Sequence, residues 1–416
     1  MDHFAYRNFE LCCERVSLRA LAADVGTPAY VYSKAALLES YRAYDRAFAP
    51  VQHLICYAVK ANSNLAVLGT LARAGAGADI VSGGELFRAL RAGMSPKKII
   101  FSGVGKTREE MRDALKAEIL MFSVESLSEL RTLDEVAREI GVRAPVALRV
   151  NPDVDPQTHP YISTGLRTSK FGIPYAAALE AYEEAAKLPG LEIVGAQMHI
   201  GSQITKAAPF GDAVARLASL VKELRERAIE LRMIDVGGGL GIRYGREAPP
   251  THQEYATALL DALRELGLTV VLEPGRSIAG NAGILLTRVL CGKDTGDKKF
   301  VVVDAAMNDL IRPSLYDAYH EIRPVDEARL GGPMEQVDVV GPVCESGDFL
   351  AKDRELAAAE EGDLLAVMSA GAYGFVMSSN YNTRPRAVEV LVDGDRYTIV
   401  RRRETYEDLV AGETTL

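Results

Sequence analysis

The segment Tyr57–Asn62 places a lysine where an apolar run ends. Lysine is rarely buried unless it is paired, and burial lowers the pKa of its amine, which makes the amine a better nucleophile toward an aldehyde. A lysine in this place can equally be a solvated residue at the end of a strand, with no chemical role. Lys60 is therefore a candidate for covalent chemistry with a carbonyl compound, and the plainer explanation stays open beside it.

Three consecutive glycines follow the apolar run Met233–Val236. Gly237, Gly238 and Gly239 could present backbone N–H groups to a phosphate. The run is not a Walker loop, because no Gly-Lys-Ser/Thr follows, and it lacks the G-x-G-x-x-G spacing of a dinucleotide site. A tight turn explains the three glycines about as well as a phosphate site does.

Two further polar groups also end apolar runs. Glu273–Arg276 combines a carboxylate, a rigid turn that includes Gly275 and a guanidinium, and a solvated loop with an ion pair is the alternative explanation. His199 ends the run Ile193–Ile200 and is followed by Ser202. A lone histidine in such a place is more often a core residue than a catalyst. The six histidines show no metal-ligand spacing, so we predict no metal site.

The C-terminal part of the chain adds a cysteine and a tyrosine in loop-forming sequence. Cys344 and Glu345 lie within Gly341–Asp348, and Tyr373 lies within Gly371–Gly374. Cysteine is most often a buried structural residue, so this context alone is a weak indication of chemistry. The joint order of all these residues along the chain is more informative than any one of them.

The elements that must position these residues alternate regularly. Short runs rich in Val and Ile, most of them bounded by Gly, Asn, Ser or Pro, predict the strands Leu54–Val59, Ala78–Val81, Ile99–Phe101, Leu120–Val124, Val146–Val150, Ile193–Ile200, Met233–Val236 and Val270–Glu273. Helical patterns lie between them, for example Leu65–Ala74, Ser126–Ile140 and Phe210–Arg232. Roughly eight strand–helix units favour a (β/α)8 barrel of the TIM type over an open doubly wound sheet. A barrel gathers Lys60, His199 and Glu273 around one mouth, at the C-terminal ends of its strands.

After Arg276 the pattern changes to strands without long helices between them. The predicted strands are Gly283–Leu290, Phe300–Val303, Val337–Val340, Leu364–Met368, Ala387–Val392 and Tyr397–Arg401, with a hairpin turn at Asp393–Asp395. We therefore predict two domains. Residues 34–277 form the barrel, and residues 1–33 with 278–416 form a second, all-β domain of the sandwich or β-barrel kind.

Composition bounds the class of protein. The 416 residues suit two domains, and a net charge of −9 without a block of Lys or Arg argues against a nucleic-acid partner. The five cysteines show no zinc-site spacing and are expected to be free thiols in a reducing cytosol. The segment Met1–Arg19 lacks the apolar core of a signal peptide, and no stretch approaches the ~18 apolar residues of a membrane helix. We therefore expect a cytoplasmic protein without a membrane partner.

Taken together, the motifs resemble the fold-type III, alanine-racemase-like group of pyridoxal-phosphate enzymes, and within it the diaminopimelate decarboxylase family. The resemblance covers nearly the whole chain, from Thr27–Tyr32 to Asn382–Arg386. The motifs that carry it are Tyr57–Asn62, His199–Gln203, Gly237–Gly239, Glu273–Arg276, Cys344–Asp348, Met307–Tyr316 and Gly371–Asn380. The resemblance implies decarboxylation of meso-2,6-diaminopimelate to L-lysine and CO2, the last step of lysine biosynthesis.

The resemblance also implies roles for residues that would bind pyridoxal 5'-phosphate. Lys60 would form the Schiff base with the cofactor, and His199 would stack on its ring. Glu273 would sit against the pyridine nitrogen, where related racemases place arginine. A carboxylate there keeps the ring protonated and makes it a deeper electron sink, which favours a decarboxylase. The other cofactor-binding residues that it implies are Ser202, Gly237, Gly238, Gly239, Gly275, Arg276 and Tyr373.

By the same resemblance, Cys344 would donate the proton that replaces CO2. The implied substrate-binding residues are Arg276, Arg312, Tyr316, Glu345 and Tyr373. A diamino diacid suits them, because arginine can fork onto its distal carboxylate while Glu345 pairs its distal amine. The family further implies a homodimer with shared active sites, in which the β domain of one subunit completes the barrel mouth of the other.

Two alternatives stay open. A related decarboxylase of ornithine, arginine or lysine would share Lys60, His199 and Cys344, but its substrate has no distal carboxylate to hold, so Arg312 discriminates between them. A catalytically silent relative would bind the cofactor or partner proteins without turnover. The intact Lys60, Glu273 and Cys344 argue against it.

Overall fold

The structure is a computed structural model that describes residues 3–155 and 170–416. The chain divides into two compact units. The β unit consists of Met1–Leu37, Arg243–Glu247 and Ala279–Leu416, and the barrel unit consists of Leu38–Ile242 and Ala248–Ile278.

Strands and helices alternate through the barrel unit, whereas strands predominate in the β unit. In chain order, the strands of the described residues are β1 (Phe4–Arg7), β2 (Glu10–Cys13), β3 (Val16–Ser17), β4 (Ala29–Ser33), β5 (His53–Ala58), β6 (Gly77–Ile80), β7 (Ile99–Phe101), β8 (Met121–Val124), β9 (Ala144–Asn151), β10 (Ile173–Pro174), β11 (Leu191–Gln197), β12 (Met233–Asp235), β13 (Thr269–Leu272), β14 (Gly283–Asp294), β15 (Lys299–Val303), β16 (Ile322–Pro324), β17 (Met334–Val340), β18 (Phe349–Ala357), β19 (Leu364–Val367), β20 (Val388–Asp393) and β21 (Arg396–Arg401). The α-helices are α1 (Leu18–Val25), α2 (Lys34–Phe48), α3 (Leu65–Ala74), α4 (Gly83–Arg91), α5 (Arg108–Lys116), α6 (Leu127–Glu139), α7 (Ala178–Ala186), α8 (Ala208–Glu226), α9 (His252–Leu266), α10 (Arg276–Ala279), α11 (Arg312–Tyr316) and α12 (Tyr406–Leu409).

Eight parallel strands of the barrel unit close into a ring. The order around it is β5, β6, β7, β8, β9, β11, β12 and β13, and β13 pairs back onto β5 from Val270↔His53 to Leu272↔Ile55. The short strand β10 adds to β9 outside the ring. One buried apolar cluster draws on six of the strands through Cys56, Ile100, Met121, Ala147, Val194 and Val271. The prediction of a TIM-type barrel rather than an open sheet is confirmed.

Four helices of the barrel unit begin at a hydroxyl cap. Ser82, Thr107, Ser126 and Thr251 precede α4, α5, α6 and α9, and each side-chain oxygen accepts the backbone N–H three residues on. The bond satisfies one of the N–H groups that have no partner in the first helical turn. These caps fix where each helix begins, and so they fix the loops that join the strand ends to the helices.

The β unit is built around the long strand β14. Its first half pairs antiparallel with β4 and β19, and its second half pairs antiparallel with β15. Strand β20 joins β4 in parallel and forms a hairpin with β21 through Gly394, whose φ is +67°. The prediction of a separate β domain is confirmed, although the unit also contains the helices α1, α11 and α12. Sequence patterns missed β18, because Lys352–Glu355 interrupts it with four charged residues that break the apolar alternation.

Among the described residues, no helix combines the length and the apolar character that crossing a bilayer requires.

Candidate active site

The C-terminal ends of the barrel strands carry the candidate residues. Lys60 lies in the short 3-10 turn Val59–Ala61 directly after β5, and Glu273 directly follows β13. His199 follows β11 by two residues, and the glycine run begins two residues after β12. Parallel strands of a barrel present these ends at one mouth, which brings together residues that are far apart in the sequence.

The amine of Lys60 is held by a buried carboxylate. Nζ donates to Oδ2 of Asp79 at 2.5 Å, and Asp79, on the neighbouring strand β6, is fully buried. The other oxygen, Oδ1, has no hydrogen-bond partner among the described residues. A buried carboxylate needs a cation or several donors, so this pair holds the amine of the partly exposed Lys60 side chain against Asp79.

Glu273 sits within a buried acidic cluster. Gln197 Nε2 donates to its Oε2 at 3.1 Å, and the Ser102 hydroxyl lies 3.4 Å from its Oε1. Burial raises the pKa of Glu273 to about 7, and the nearby charge of Asp79 adds to the shift. Burial, reinforced by the charge of Glu273, also raises the pKa of Asp235 well above its ordinary value. The two neighbouring carboxyls therefore resist ionising together.

The ring of His199 is neutral. Its Nδ1 accepts the backbone N–H of Gly238 at 3.2 Å, and an imidazole nitrogen can accept only when it carries no proton. Burial lowers the pKa of His199 well below its ordinary value, and the positive charges of Arg149 and Lys60 lower it further. At neutral pH the ring therefore carries its single proton on Nε2.

The glycine run packs too tightly for any side chain. A Cβ at Gly237 would lie 2.4 Å from the Met198 carbonyl oxygen, and a Cβ at Gly239 would lie 2.5 Å from that of Gly201. Gly237 and Gly239 also have φ of +69° and +108°, a region that favours glycine. The Gly237 N–H donates to Asp235 Oδ1 at 2.8 Å, so two of the three glycine amides are used inside the protein. The Gly239 amide has no partner among the described residues.

The turn after Glu273 continues the mouth. A Cβ at Gly275 would stand 3.0 Å from the side chains of Ala58 and Ala61, so this turn packs directly on the turn that carries Lys60. Arg276 is buried, and both its Nε and its Nη2 lie within 3.3 Å of the Ser202 hydroxyl oxygen. Ser202 and Arg276 are therefore neighbours, as an anion site shared by the two would require.

Sequence reasoning missed a second ion pair of this unit. Arg149, on β9, donates from Nη1 to Oε1 of Glu125 at 3.0 Å, and both side chains are buried. The guanidinium also lies 4.7 Å from the ring centroid of Phe171. Glu125 accepts the backbone N–H groups of Gly103 and Gly172 as well, each at 3.0 Å. A buried arginine with this support is a fixed positive charge that acts on His199 and Glu273.

In the β unit, Arg312 opens helix α11 and is buried. Its Nη1 lies 2.8 Å from Nε2 of His320, and its Cζ lies 4.5 Å from the ring centroid of Tyr244. Tyr316, the last residue of α11, is partly buried, and Tyr373 is partly buried with a φ of +56°.

Cys344 is exposed on a loop of the β unit that is fixed from two sides. Its backbone N–H donates to Oδ1 of Asn382 at 2.7 Å. The preceding residue, Val343, donates its N–H to Asp348 at 2.7 Å, and Asp348 is buried. Glu345 is also exposed, and its hydrogen bond from the hydroxyl of Tyr381 raises the pKa of that tyrosine.

Comparison with known proteins decides the family. Residues 34–280 match the family described as pyridoxal-dependent decarboxylase, pyridoxal binding domain. A diaminopimelate decarboxylase of Pseudomonas aeruginosa is 58% identical over 416 residues, with all of both chains covered. The chain belongs to the diaminopimelate decarboxylase family. The crystal structure of the Helicobacter pylori member complexed with L-lysine is 44% identical with a TM-score of 0.91, covering 94% of this chain and 98% of that one. A second family member with L-lysine, from M. jannaschii, is 39% identical with a TM-score of 0.95, covering 100% and 98%.

Pyridoxal 5'-phosphate is the cofactor of this decarboxylase, and the barrel mouth fits it. The mouth holds the amine of Lys60, a buried carboxyl at Glu273 and a flat neutral ring at His199. The amide of Gly239 is left to receive an anion, in a backbone cradle that a Cβ would fill. The predicted residues of the barrel unit therefore lie together at the strand ends. The predicted residues Arg312, Tyr316, Cys344, Glu345 and Tyr373 belong to the β unit.

Proposed function

We propose that this chain removes one carboxylate from meso-2,6-diaminopimelate and releases L-lysine and CO2, the last step of lysine biosynthesis. The observation that carries the proposal is the placement of Lys60 and Glu273 at the same mouth in a chain of this family. When bound, pyridoxal phosphate supplies an electron sink for the carbanion that remains after CO2 departs.

Each residue of the barrel mouth has a separate role in binding the cofactor. Lys60 is the attachment point, and Asp79 holds the proton on its Nζ. Glu273 would stabilise a proton on the pyridine nitrogen of the bound cofactor, because a buried carboxylate favours the charged form of a neighbouring base. The neutral ring of His199 would offer a face for stacking. Gly239 and the neighbouring pair Ser202 and Arg276 would hold the phosphate.

The residues of the β unit recognise the end of the substrate that does not react. Arg312 binds the distal carboxylate and Glu345 pairs the distal amine, with Tyr316 and Tyr373 beside them. L-Lysine, found in crystal structures of two relatives, keeps this distal amino-acid group intact. Cys344 donates the proton that replaces CO2.

The direct test is CO2 release from meso-diaminopimelate, lysine, ornithine and arginine under equal conditions. We expect turnover of meso-diaminopimelate, because it is the one diacid of the four and Arg312 is a buried cation. Preferred turnover of ornithine, arginine or lysine would make the chain a basic amino-acid decarboxylase. A silent relative would bind cofactor without releasing CO2 from any of the four. Borohydride bleaching of the yellow protein checks the lysine linkage independently.

We further propose a homodimer in which Cys344 of one subunit serves the barrel mouth of the other. The exposure of Cys344 and its place outside the barrel unit support this arrangement. Lys60→Ala and Cys344→Ala homodimers should both be nearly inactive. After verified subunit exchange, half of the dimers are hybrids and roughly a quarter of all sites are intact, as a symmetric dimer requires. Exchange without returning activity would place Cys344 in the site of its own chain or outside the chemistry.

We place the enzyme in the cytoplasm. All five cysteines are free, which suits a reducing compartment. Fractionation of the native cells with an antibody to this chain tests the assignment, and recovery in an oxidising compartment would contradict it.

A further inference from the structure

Two bonds fix the protonation of a fully buried histidine beside Arg312. His320 Nδ1 lies 2.8 Å from the carbonyl oxygen of Met368, and its Nε2 lies 2.8 Å from Nη1 of Arg312. A carbonyl can only accept and a guanidinium can only donate. The proton of the imidazole is therefore on Nδ1, Nε2 is the acceptor, and the ring is neutral.

The face of the same guanidinium is covered by a second neutral ring. Arg312 Cζ lies 4.5 Å from the centroid of Tyr244, and the rings of Tyr244 and His320 meet edge to face at 5.2 Å and 75°. Arginine is planar and delocalised, so a contact on its face and a bond at its edge together fix both its position and its plane. Because these two rings are neutral, their contacts orient Arg312 without opposing its charge.

We infer that His320 is a positioning residue that sets the affinity for the distal carboxylate of the substrate by holding Arg312 in one orientation. The inference rests on the proposed function, which assigns that carboxylate to Arg312. The competing explanation is that His320 only ties the loop after α11 to the end of β19 through the carbonyl of Met368. The two bonds of the imidazole allow these explanations to be separated.

Asparagine and glutamine at position 320 each mimic one side of the histidine. In His320→Asn the Nδ2 takes the place of Nδ1, which keeps the bond to Met368 and removes the acceptor for Arg312. In His320→Gln the Oε1 reaches the place of Nε2, which keeps the acceptor for Arg312. If His320 positions Arg312, the asparagine variant binds L-lysine more weakly than wild type and the glutamine variant keeps most of the wild-type affinity. If His320 is only structural, the asparagine variant keeps more of the L-lysine affinity than the glutamine variant, because it keeps the bond to Met368.

The readout is the binding of two ligands to the cofactor-loaded enzyme, measured by calorimetry. L-Lysine carries the distal carboxylate, and 1,5-diaminopentane is the same molecule without it. We expect His320→Asn to weaken L-lysine roughly tenfold, since a hydrogen bond to a charged group is worth about one decade or more in an equilibrium constant. We expect its affinity for 1,5-diaminopentane to change less than about twofold, because no carboxylate is lost from that contact. In His320→Asn the KM for meso-diaminopimelate should rise by a factor similar to that of the L-lysine dissociation constant, while kcat changes much less.

Arg312→Ala separates failure of this inference from failure of the proposed function. If Arg312→Ala leaves L-lysine affinity unchanged, the carboxylate does not bind there and the proposed substrate contact is wrong. If Arg312→Ala weakens L-lysine but His320→Asn does not, the positioning role alone is overturned. His320 would be only a structural residue if His320→Asn lowered the affinities for L-lysine and 1,5-diaminopentane equally, and if both variants had a lowered unfolding midpoint.

Discussion

Replacing Gly238 by alanine would place a methyl group 2.2 Å from the carbonyl oxygen of Glu273 and 3.0 Å from its carbonyl carbon. Gly238 does not have a positive φ, so alanine is compatible with its backbone conformation and the collision is the whole effect. Both contacts are to backbone rather than to a flexible side chain. One of the two chain segments must therefore move by roughly 1 Å to restore ordinary packing.

The displaced segment carries the carboxylate that we assign to the cofactor ring. Overpacking of this kind costs about 1–3 kcal/mol of stability. A shift of about 1 Å in a positioned catalytic group can cost roughly 100-fold in rate. We therefore expect Gly238→Ala to fold, to bind pyridoxal phosphate more weakly, and to lose about two decades of kcat for CO2 release.

The matched control is Gly105→Ala, since Gly105 is exposed, lacks a positive φ, and has nothing within 4 Å of its ideal Cβ. Cofactor titration by absorbance, kcat and the unfolding midpoint of the cofactor-free protein should be measured for both variants. If Gly238→Ala matches Gly105→Ala in cofactor affinity, kcat and unfolding midpoint, the close packing of Gly238 does not position Glu273 and this inference is wrong.

Three further substitutions test the barrel mouth. Lys60→Ala should abolish CO2 release, because it removes the amine that we assign to the cofactor linkage; near-normal turnover would mean that the attachment residue is wrong. Glu273→Gln should slow CO2 release at full cofactor occupancy. With the pKa of Glu273 raised to about 7, its contribution to folding is fully present below the ordinary value of 4.5 and is lost as pH rises through about 7. Between pH 5 and pH 8, the unfolding temperature of the cofactor-free Glu273→Gln protein should therefore fall less than that of the wild type. An equal fall would contradict the raised pKa of Glu273. Glu125→Gln should cost about 3–5 kcal/mol in denaturant unfolding, because it leaves Arg149 buried without its ion partner; a cost below about 1 kcal/mol would show that the pair is not needed for stability.

The barrel could be predicted because its strands are apolar runs separated by polar turns. Their order and closure follow from the count and from parallel pairing. The bounds shifted slightly: Val59 was predicted within the first strand, but β5 ends at Ala58 and Val59 begins the turn that carries Lys60. The strands β1–β3, β10 and β16 were not predicted, because each is only two to four residues long and carries little periodicity. Strand β4 was also not predicted, since periodicity does not distinguish a short, fully buried run from a helix.

The supporting polar residues of the mouth were harder to predict, although the sequence does mark them. Asp79, Arg149, Gln197 and Asp235 each lie in a mainly apolar predicted strand, and the structure places each in the C-terminal half of its strand, in β6, β9, β11 and β12. A polar residue in that place must find a partner within the barrel, because burial without one is costly. For Asp79, Arg149 and Gln197 the partner follows another strand, however, and nothing local in the sequence reveals which one. The signal identifies the residues but not their pairs, such as Asp79 with Lys60.

The two histidines near the proposed binding groups show why residue type alone does not give chemical state. His199 is neutral because its Nδ1 accepts the Gly238 N–H, and His320 is neutral because Arg312 and a carbonyl dictate opposite roles to its two nitrogens. Protonating His199 would add a cation beside Lys60 and would leave the Gly238 N–H without an acceptor. That glycine is the residue whose packing holds the carbonyl of Glu273. The protonation state of His199 and the backbone position of Glu273 are therefore linked through Gly238, which bonds to the first and packs against the second.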